Sequence, residues 1–324
     1  MSDVVMITGA TGLIGSNICQ LLRARGRPVR ALVRPGSETG PLTDLGVDLV
    51  EGDITSGDAV ARAADGASVI INCAALLGGA AQDLEASRAT NLHGSVHCYD
   101  VAAGGGRRVV ELLTTTFFEH VEPLTERSRA LDQVGDDPYT VSKAAAHREA
   151  LRRVEAGDDI VFVIPGGTFG PAPTPKRAMG PTSYNRLVRA ALQGKITEYI
   201  SFPVPWVRAG DVAACVVAAA DHGVTGETYL AFGQEDAQTT AVFLNLACEV
   251  AGVGHRVAET TVDPDDPATV ARYGETLVDL ATRTWPVPWF DNSHTRATLC
   301  YAPAPLRQGV KETVAFLRSI GHIR

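Results

Sequence analysis

The sequence predicts an α/β chain built on a doubly wound parallel sheet, with a smaller, mainly helical C-terminal cap. Three observations carry this prediction. Short β-branched runs alternate with longer helical patterns through residues 1–165, as strands do when helices cover both faces of a parallel sheet. Gly9, Gly12 and Gly15 fall between the first strand-like run and the first helical one, where a dinucleotide-binding Rossmann unit needs its tight turn. After Ile164 the alternation stops, and a Gly- and Pro-rich segment leads into mostly helical sequence. The Rossmann part is therefore expected over residues 1–165 and the substrate-binding cap over 166–324, with 209–232 returning to the sheet.

The elements follow in order. Residues 4–7 form a β-branched run and 13–25 have helical periodicity. Residues 29–33, 47–51 and 68–73 read as the second, third and fourth strands. Residues 83–103 read as one long helix, and Gly104-Gly105-Gly106 stops it. The fifth strand is expected at 109–114, a helix at 139–155 and the sixth strand at 160–164. Pro171, Pro173, Pro175 and Pro181 then mark a long irregular segment, of the kind that is usually functional in a compact domain. Helices at 184–193 and 211–222 and a strand at 227–232 follow. From Thr239 onward the pattern is mostly helical, interrupted by Pro286 and Pro288.

Composition narrows the function. With 324 residues, 45% hydrophobic and 20% charged, the chain can bury a large core. A formal charge of −8 and the absence of a long basic run argue against a nucleic-acid partner. The apolar runs are too short to span a bilayer, so no membrane partner is expected. Met1-Ser-Asp3 leads straight into a strand with no signal pattern, and the six Cys show no CxxC spacing. Both point to a reduced, cytoplasmic compartment with buried thiols. His93 and His97 stand one helical turn apart beside Cys98. No acid lies between them and no matching pair appears elsewhere, so no metal site is expected.

Thr8-Gly-Ala-Thr-Gly-Leu-Ile-Gly15 carries the first chemistry. Its glycines permit close approach of the backbone to a pyrophosphate, and the following helix offers free N–H groups and a positive dipole end. About 20 residues on, an acid would bind a ribose 2′-hydroxyl. Arg34 stands there instead. Arg pairs with a 2′-phosphate that an acid would repel, so NADP(H) is favoured, with NAD(H) possible. Asp53, after the third strand, is placed to accept from an adenine amino group or to cap the next helix. Asn72-Cys73-Ala74-Ala75 ends the fourth strand against the same cleft.

Tyr139-Thr-Val-Ser-Lys143 carries the second. One helical turn puts a phenol and an ammonium on one face, about 6 Å apart along the axis. A phenol beside a fixed cation is a candidate proton donor.

Taken in order, TGATGLIG (8–15), GDI (52–54), NCAA (72–75), TNLHG (90–94), TTT (114–116) and YTVSK (139–143) resemble the extended short-chain dehydrogenase/reductase superfamily. PGGTFGP (165–171), AGDVAA (209–214) and GETYLAFG (226–233) continue the likeness. RALVRPGS (30–37) and QGKITEYI (193–200) look most like its dihydroflavonol-4-reductase-like branch, whose members reduce ketones or aldehydes with NADPH or oxidise hydroxysteroid-like alcohols with NAD. The resemblance implies Tyr139 as general acid/base and Lys143 as its partner and ribose ligand. It implies Thr116 in place of the usual Ser, and Asn91 in support of a relay water. Cofactor contacts are implied for Gly9, Thr11, Gly12, Leu13 and Ile14, for Asp53 and Ile54, and for Cys73, Ala74 and Ala75. Pro165, Gly166, Gly167 and Thr168 would frame the nicotinamide. Three departures stand out. Phe118-Glu119-His120 replaces a Val-Tyr-Gly, Ile164 replaces an Arg, and Phe117-Phe118 stands where 4,6-dehydratases carry Asp-Glu.

A tyrosine that titrates near 10 needs a shift of about 3 units, or about 4 kcal/mol, to work near neutrality. One cation about 5 Å away supplies about 3 kcal/mol at an effective dielectric of 20, so Lys143 is expected to lower Tyr139. A small carbonyl or alcohol substrate is the leading expectation. A nucleotide-sugar epimerase would need Arg177, Arg186, Arg189 or Arg208 on a diphosphate, whereas Phe202-Pro-Val-Pro-Trp206, Trp285 and Trp289-Phe290 suggest an apolar pocket. Glu119 and His120 are candidates for its lining. A non-catalytic NADP-binding sensor is the third reading, and a homodimer through helices 83–103 and 139–155 is possible.

Overall fold

The computed structural model describes residues 4–77, 83–118, 123–234, 237–261, 263, 265–282 and 290–324. Glu119, His120, Trp285 and Trp289 lie outside the described residues. Strands β1 (Val4–Thr8), β2 (Val29–Val33), β3 (Asp48–Glu51), β4 (Ala67–Asn72), β5 (Arg108–Leu112) and β6 (Ile160–Pro165) join Thr228–Ala231 in one parallel sheet. The order is Thr228–Ala231, β6, β5, β4, β1, β2, β3.

Short apolar runs become central strands because both faces are covered. Val5 and Ile7 share one buried face with Ala31, Val110 and Val163. Met6 shares the other with Ile70, Val109 and Phe162. Helix α1 (Leu13–Ala24) buries Ile18, Cys19 and Leu22 on the first face, and the helix Ala209–His222 packs against it there. Gly94–Ala103 and Pro138–Glu155 cover the second face. β1 pairs with both β2 and β4, so the winding reverses beside it. A crevice opens outside the carboxyl ends of the strands at such a switch point.

The cap has a separate apolar core of Phe169, Val188, Ile200, Trp206, Phe243, Leu244 and Val314. Arg208 ties it to the sheet layer: Nη1 donates to both Glu312 oxygens at 2.7 and 2.8 Å, and Nη2 donates to Asp211 Oδ1 at 2.7 Å.

Several boundaries differ from expectation for local reasons. The fifth strand ends at Leu112, because its pairing with β4 stops at Glu111 and with β6 at Leu112. Past it the Leu113 N–H still donates to the Val163 carbonyl at 2.9 Å, and the chain bends at Thr115. The helix expected at 83–103 is Leu84–Arg88, a π-helical turn Ala89–His93, and Gly94–Ala103. The irregular segment after β6 contains a short strand, Gly167–Phe169, paired with Trp206–Arg208, and a helix, Pro175–Ala178. All six cysteines are free, and among the described residues no helix is long and apolar enough to cross a membrane.

Candidate active site

The crevice floor is set by backbone contact between the ends of β1 and β4. Gly9 has φ +66°, and a Cβ there would sit 2.7 Å from the Ala74 nitrogen. A Cβ on Gly15 would sit 2.4 Å from the Gly9 carbonyl oxygen. Only glycine allows this turn. The Thr8 hydroxyl donates to Asn72 Oδ1 at 2.6 Å and accepts from the Ala74 N–H at 3.1 Å, which locks the two strand ends together. Gly12 caps α1 without any side-chain bond, and the first turn carries no acid. By contrast Ser56, Asp83, Asp137, Ser183 and Thr239 each cap their helices with a side-chain oxygen. The α1 amino end therefore keeps its N–H groups and dipole for an anion. Thr11, Leu13 and Ile14 are half-buried beside it, and Arg34 is exposed just past β2.

Asp137 accepts from the Thr140 N–H at 2.8 Å and so starts the helix that carries Tyr139 in its first turn. One turn on, Lys143 is 2% exposed. Its Nζ donates to the Leu112 carbonyl at 2.5 Å and to Glu111 Oε1 at 3.1 Å. Burial raises the Tyr139 phenol, while the Lys143 charge and a hydrogen bond with Thr114 pull it down; the net shift is upward. The expected lowering by Lys143 is thus present but outweighed by desolvation.

Thr114, which acts on the phenol, and Thr116 stand together, their hydroxyls 3.5 Å apart. Thr116 accepts from the Thr140 hydroxyl at 3.0 Å. The chain bends at Thr115 and turns at Thr116, past the end of β5. Glu111 was missed, although an acid inside Val109-Val-Glu-Leu-Leu113 is anomalous for a buried strand.

Asn91 is fully buried in the π-helical turn. Its Oδ1 accepts from the Leu76 N–H at 2.7 Å, and its Nδ2 donates to Leu76 O at 3.2 Å and Ser142 Oγ at 2.9 Å. The side chain pins the segment after β4 to the tyrosine helix. Asp53 Oδ1 accepts from both the N–H and hydroxyl of Thr55 at 2.9 Å, a turn cap. Ile54 is a core side chain packed under Gly94, and its carbonyl oxygen lies 2.9 Å from His97 Nδ1. Cys73 and Ala74 are half-buried and Ala75 is exposed on the rim.

A model described as the NAD dependent epimerase/dehydratase family matches residues 5–231. The chain belongs to this family. A putative dihydroflavonol 4-reductase of Synechocystis sp. is 25% identical over 346 residues, covering 100% of this chain and 97% of that protein. The crystal structure of gox2253 aligns with a TM-score of 0.84 at 23% identity over 99% of this chain and 100% of that one. UDP-glucuronic acid 4-epimerase from Bacillus cereus, in complex with NAD, aligns with a TM-score of 0.76 at 17% identity, over 98% of this chain and 99% of that one. At these identities the two structures speak to the fold alone.

Within this family framework the remaining expected residues divide by what packs on them. Pro165, Gly166, Gly167 and Thr168 stand at the carboxyl end of β6. A Cβ on Gly166 would meet the Pro205 oxygen at 2.0 Å, and one on Gly167 would meet Val204 at 2.4 Å. The glycines therefore serve the close seat of 203–206 as well as the rim. Phe202, Val204 and Trp206 are buried in the cap core, not exposed to a pocket. Trp206 stacks on Phe243 at 4.0 Å, and its indole N–H donates to Gln238 O at 2.8 Å. Phe117 and Phe118 are buried against His147, so no carboxyl group stands at these positions. Of the cap arginines, Arg208 is held by Glu312 and Asp211, and Arg189 Nη1 lies 3.1 Å from His322 Nδ1. Arg177 and Arg186 are exposed.

Proposed function

We propose that the protein is an NAD(P)-dependent oxidoreductase that reduces a ketone or aldehyde to an alcohol, or runs the reverse, with Tyr139 as general acid/base. One observation carries this reading: the helix that Asp137 starts sets Tyr139 one turn before a buried Lys143, fixed on Leu112 and Glu111, in the same crevice as the uncapped glycine loop. The rim fits a dinucleotide, since the Gly9–Gly15 turn leaves no room for side chains and the α1 amino end offers unpaired N–H donors. The Bacillus cereus neighbour, solved with NAD, supports the same class of group.

When bound, a reduced nicotinamide supplies the hydride to the carbonyl carbon. Tyr139 Oη then gives its proton to the carbonyl oxygen, and the products are the alcohol and the oxidised cofactor. Thr116, whose hydroxyl accepts from Thr140 and keeps its own proton to give, donates a second hydrogen bond to that oxygen, and the phenolate recovers a proton from solvent. Lys143 would also hold ribose hydroxyls. The raised Tyr139 keeps its proton through neutral pH. Carbonyl reduction is expected to stay level through neutrality and fall only in alkali, while alcohol oxidation rises with pH.

Arg34, exposed where an acid would select a free 2′-hydroxyl, supports NADP(H) over NAD(H). Arg208 and Arg189 are engaged, which leaves a diphosphate clamp only the exposed Arg177 and Arg186 and weighs against an epimerase. The segment after Pro165 covers the substrate in this reading, and the named Synechocystis relative supports a bulky aromatic or alicyclic carbonyl. A homodimer through the helices at 84–103 and 138–155 and a cytoplasmic setting complete the proposal.

NADPH consumption against a panel of ketones and aldehydes tests it. Tyr139→Phe is expected to keep cofactor binding and lose about 10²- to 10⁴-fold in turnover. A UDP-sugar that raises the melting temperature, with no carbonyl or alcohol turned over, would reverse the ranking in favour of the epimerase.

A further inference from the structure

Glu111 is fully buried near the carboxyl end of β5, on the face that carries Val109. An acid is tolerated at such a place only when paired and hydrogen-bonded. Three donors converge on it. Asn72 Nδ2 donates to Oε2 at 2.6 Å, Ser95 Oγ donates to Oε1 at 3.2 Å, and Lys143 Nζ donates to Oε1 at 3.1 Å. Asn72 is itself held by Thr8, whose hydroxyl also accepts from the Ala74 N–H. One continuous set of contacts therefore runs from the glycine loop, through Asn72 and Glu111, to the ammonium beneath the phenol.

We propose that Glu111 is a positioning residue for proton transfer: it is the counter-ion that fixes Lys143 beneath Tyr139. The inference rests on the reading of Tyr139 given above. Lys143 is 2% exposed, and without Glu111 its contact in β5 is the Leu112 carbonyl alone. A buried ammonium without an anion sheds its proton at lower pH. The phenol would then lose the charge that opposes its own burial, and it would hold its proton more tightly.

The titratable neighbours leave this role to Glu111. Cys73 on the rim, and Cys98 and Tyr99 on the Gly94–Ala103 helix, are all raised by burial, with the Glu111 charge adding to each. They stay neutral at ordinary pH. His147, on the lysine's own helix, is lowered to about 4 by burial and by Arg148 and Lys143, so it too is neutral. Asp137 acts on Tyr139 from the helix start and raises it, but its carboxylate caps the Thr140 N–H.

Wild type, Glu111→Asp and Glu111→Gln are compared by two measurements. The first is ultraviolet titration of the free protein, taken in each background as the difference from the matching Tyr139→Phe variant. The phenolate midpoint is expected to rise in the order wild type, Asp, Gln, by about one unit overall, which is about tenfold less phenolate at fixed pH. The second is the ascending pH limb of alcohol oxidation, expected to move upward in the same order. A midpoint that stays put or falls in the variants overturns the proposal. The free-protein titration needs no substrate, so a shifted midpoint with no turnover of any carbonyl or alcohol sinks the proposed activity and leaves the coupling standing. Should Glu111→Gln fail to fold, Glu111→Asp decides: it keeps the charge but withdraws it from Lys143, and an unmoved midpoint there is equally fatal.

Discussion

Two pairs of glycines, Gly9 and Gly15 on the rim and Gly166 and Gly167 past β6, look alike in sequence and do different work. Each pair is kept small by close approach of other atoms. At Gly9 and Gly15 those atoms belong to the loop itself and to Cys73 and Ala74, and the result is a bare helix amino end. At Gly166 and Gly167 they belong to Val204, Pro205 and Trp206, and the result is a dry seam between sheet and cap. The same contrast holds for aromatic and basic residues. Trp206 and Arg208 are absorbed into packing and ion pairs, whereas Arg34 stays exposed. A residue type signals binding only when the surrounding backbone leaves its valences open.

The contrast breaks or sharpens under four substitutions or conditions. Trp206→Ala should act on the cap alone, with a loss of about 4 kcal/mol of stability. Chemical denaturation measures it, and dinucleotide affinity in the surviving fold should hold. If affinity collapses while stability holds, the cap aromatics reach the rim after all.

Acid should loosen the underside of the rim through His147. Its folded value of about 4 lies below the ordinary 6.5, because burial and nearby cations disfavour the charged ring. The unfolded chain therefore takes up the proton first. Stability should fall as pH drops from about 6.5 to about 4, by about 3 kcal/mol in all. Denaturation curves across that range should flatten in His147→Leu.

Gly15→Ala places a methyl group against the Gly9 carbonyl. Overpacking of about 2 kcal/mol there should weaken dinucleotide binding about thirtyfold, read by fluorescence titration. The cap should be untouched. Arg34→Ser should give the smallest effect, a shift of about tenfold in affinity from NADP toward NAD. An unchanged ratio would move the 2′-phosphate reading away from Arg34.

Much of the rim was legible because its signals are local. Glycine spacing, the strand–helix alternation and the Tyr139–Lys143 turn each depend on residues close in sequence. Glu111 was hidden because its partners come from β4, the Gly94–Ala103 helix and the Pro138–Glu155 helix, all distant in sequence. Asn91 bonds to Leu76 and Ser142, and Ile54 packs under Gly94, contacts that no local pattern shows. The cap was least legible: its helices were visible, yet which aromatics face inward depends on elements as distant as Trp206 and Phe243.

By itself, then, the sequence determined the parallel α/β sheet, the glycine loop and the phenol–ammonium pair, since periodicity and short spacing specify them without reference to the rest of the chain. Only the tertiary structure decided which arginines are already paired, and that Lys143 faces a buried carboxylate. Those outcomes depend on contacts between β4, β5 and the Pro138–Glu155 helix, distant in sequence and joined only when the sheet closes its core.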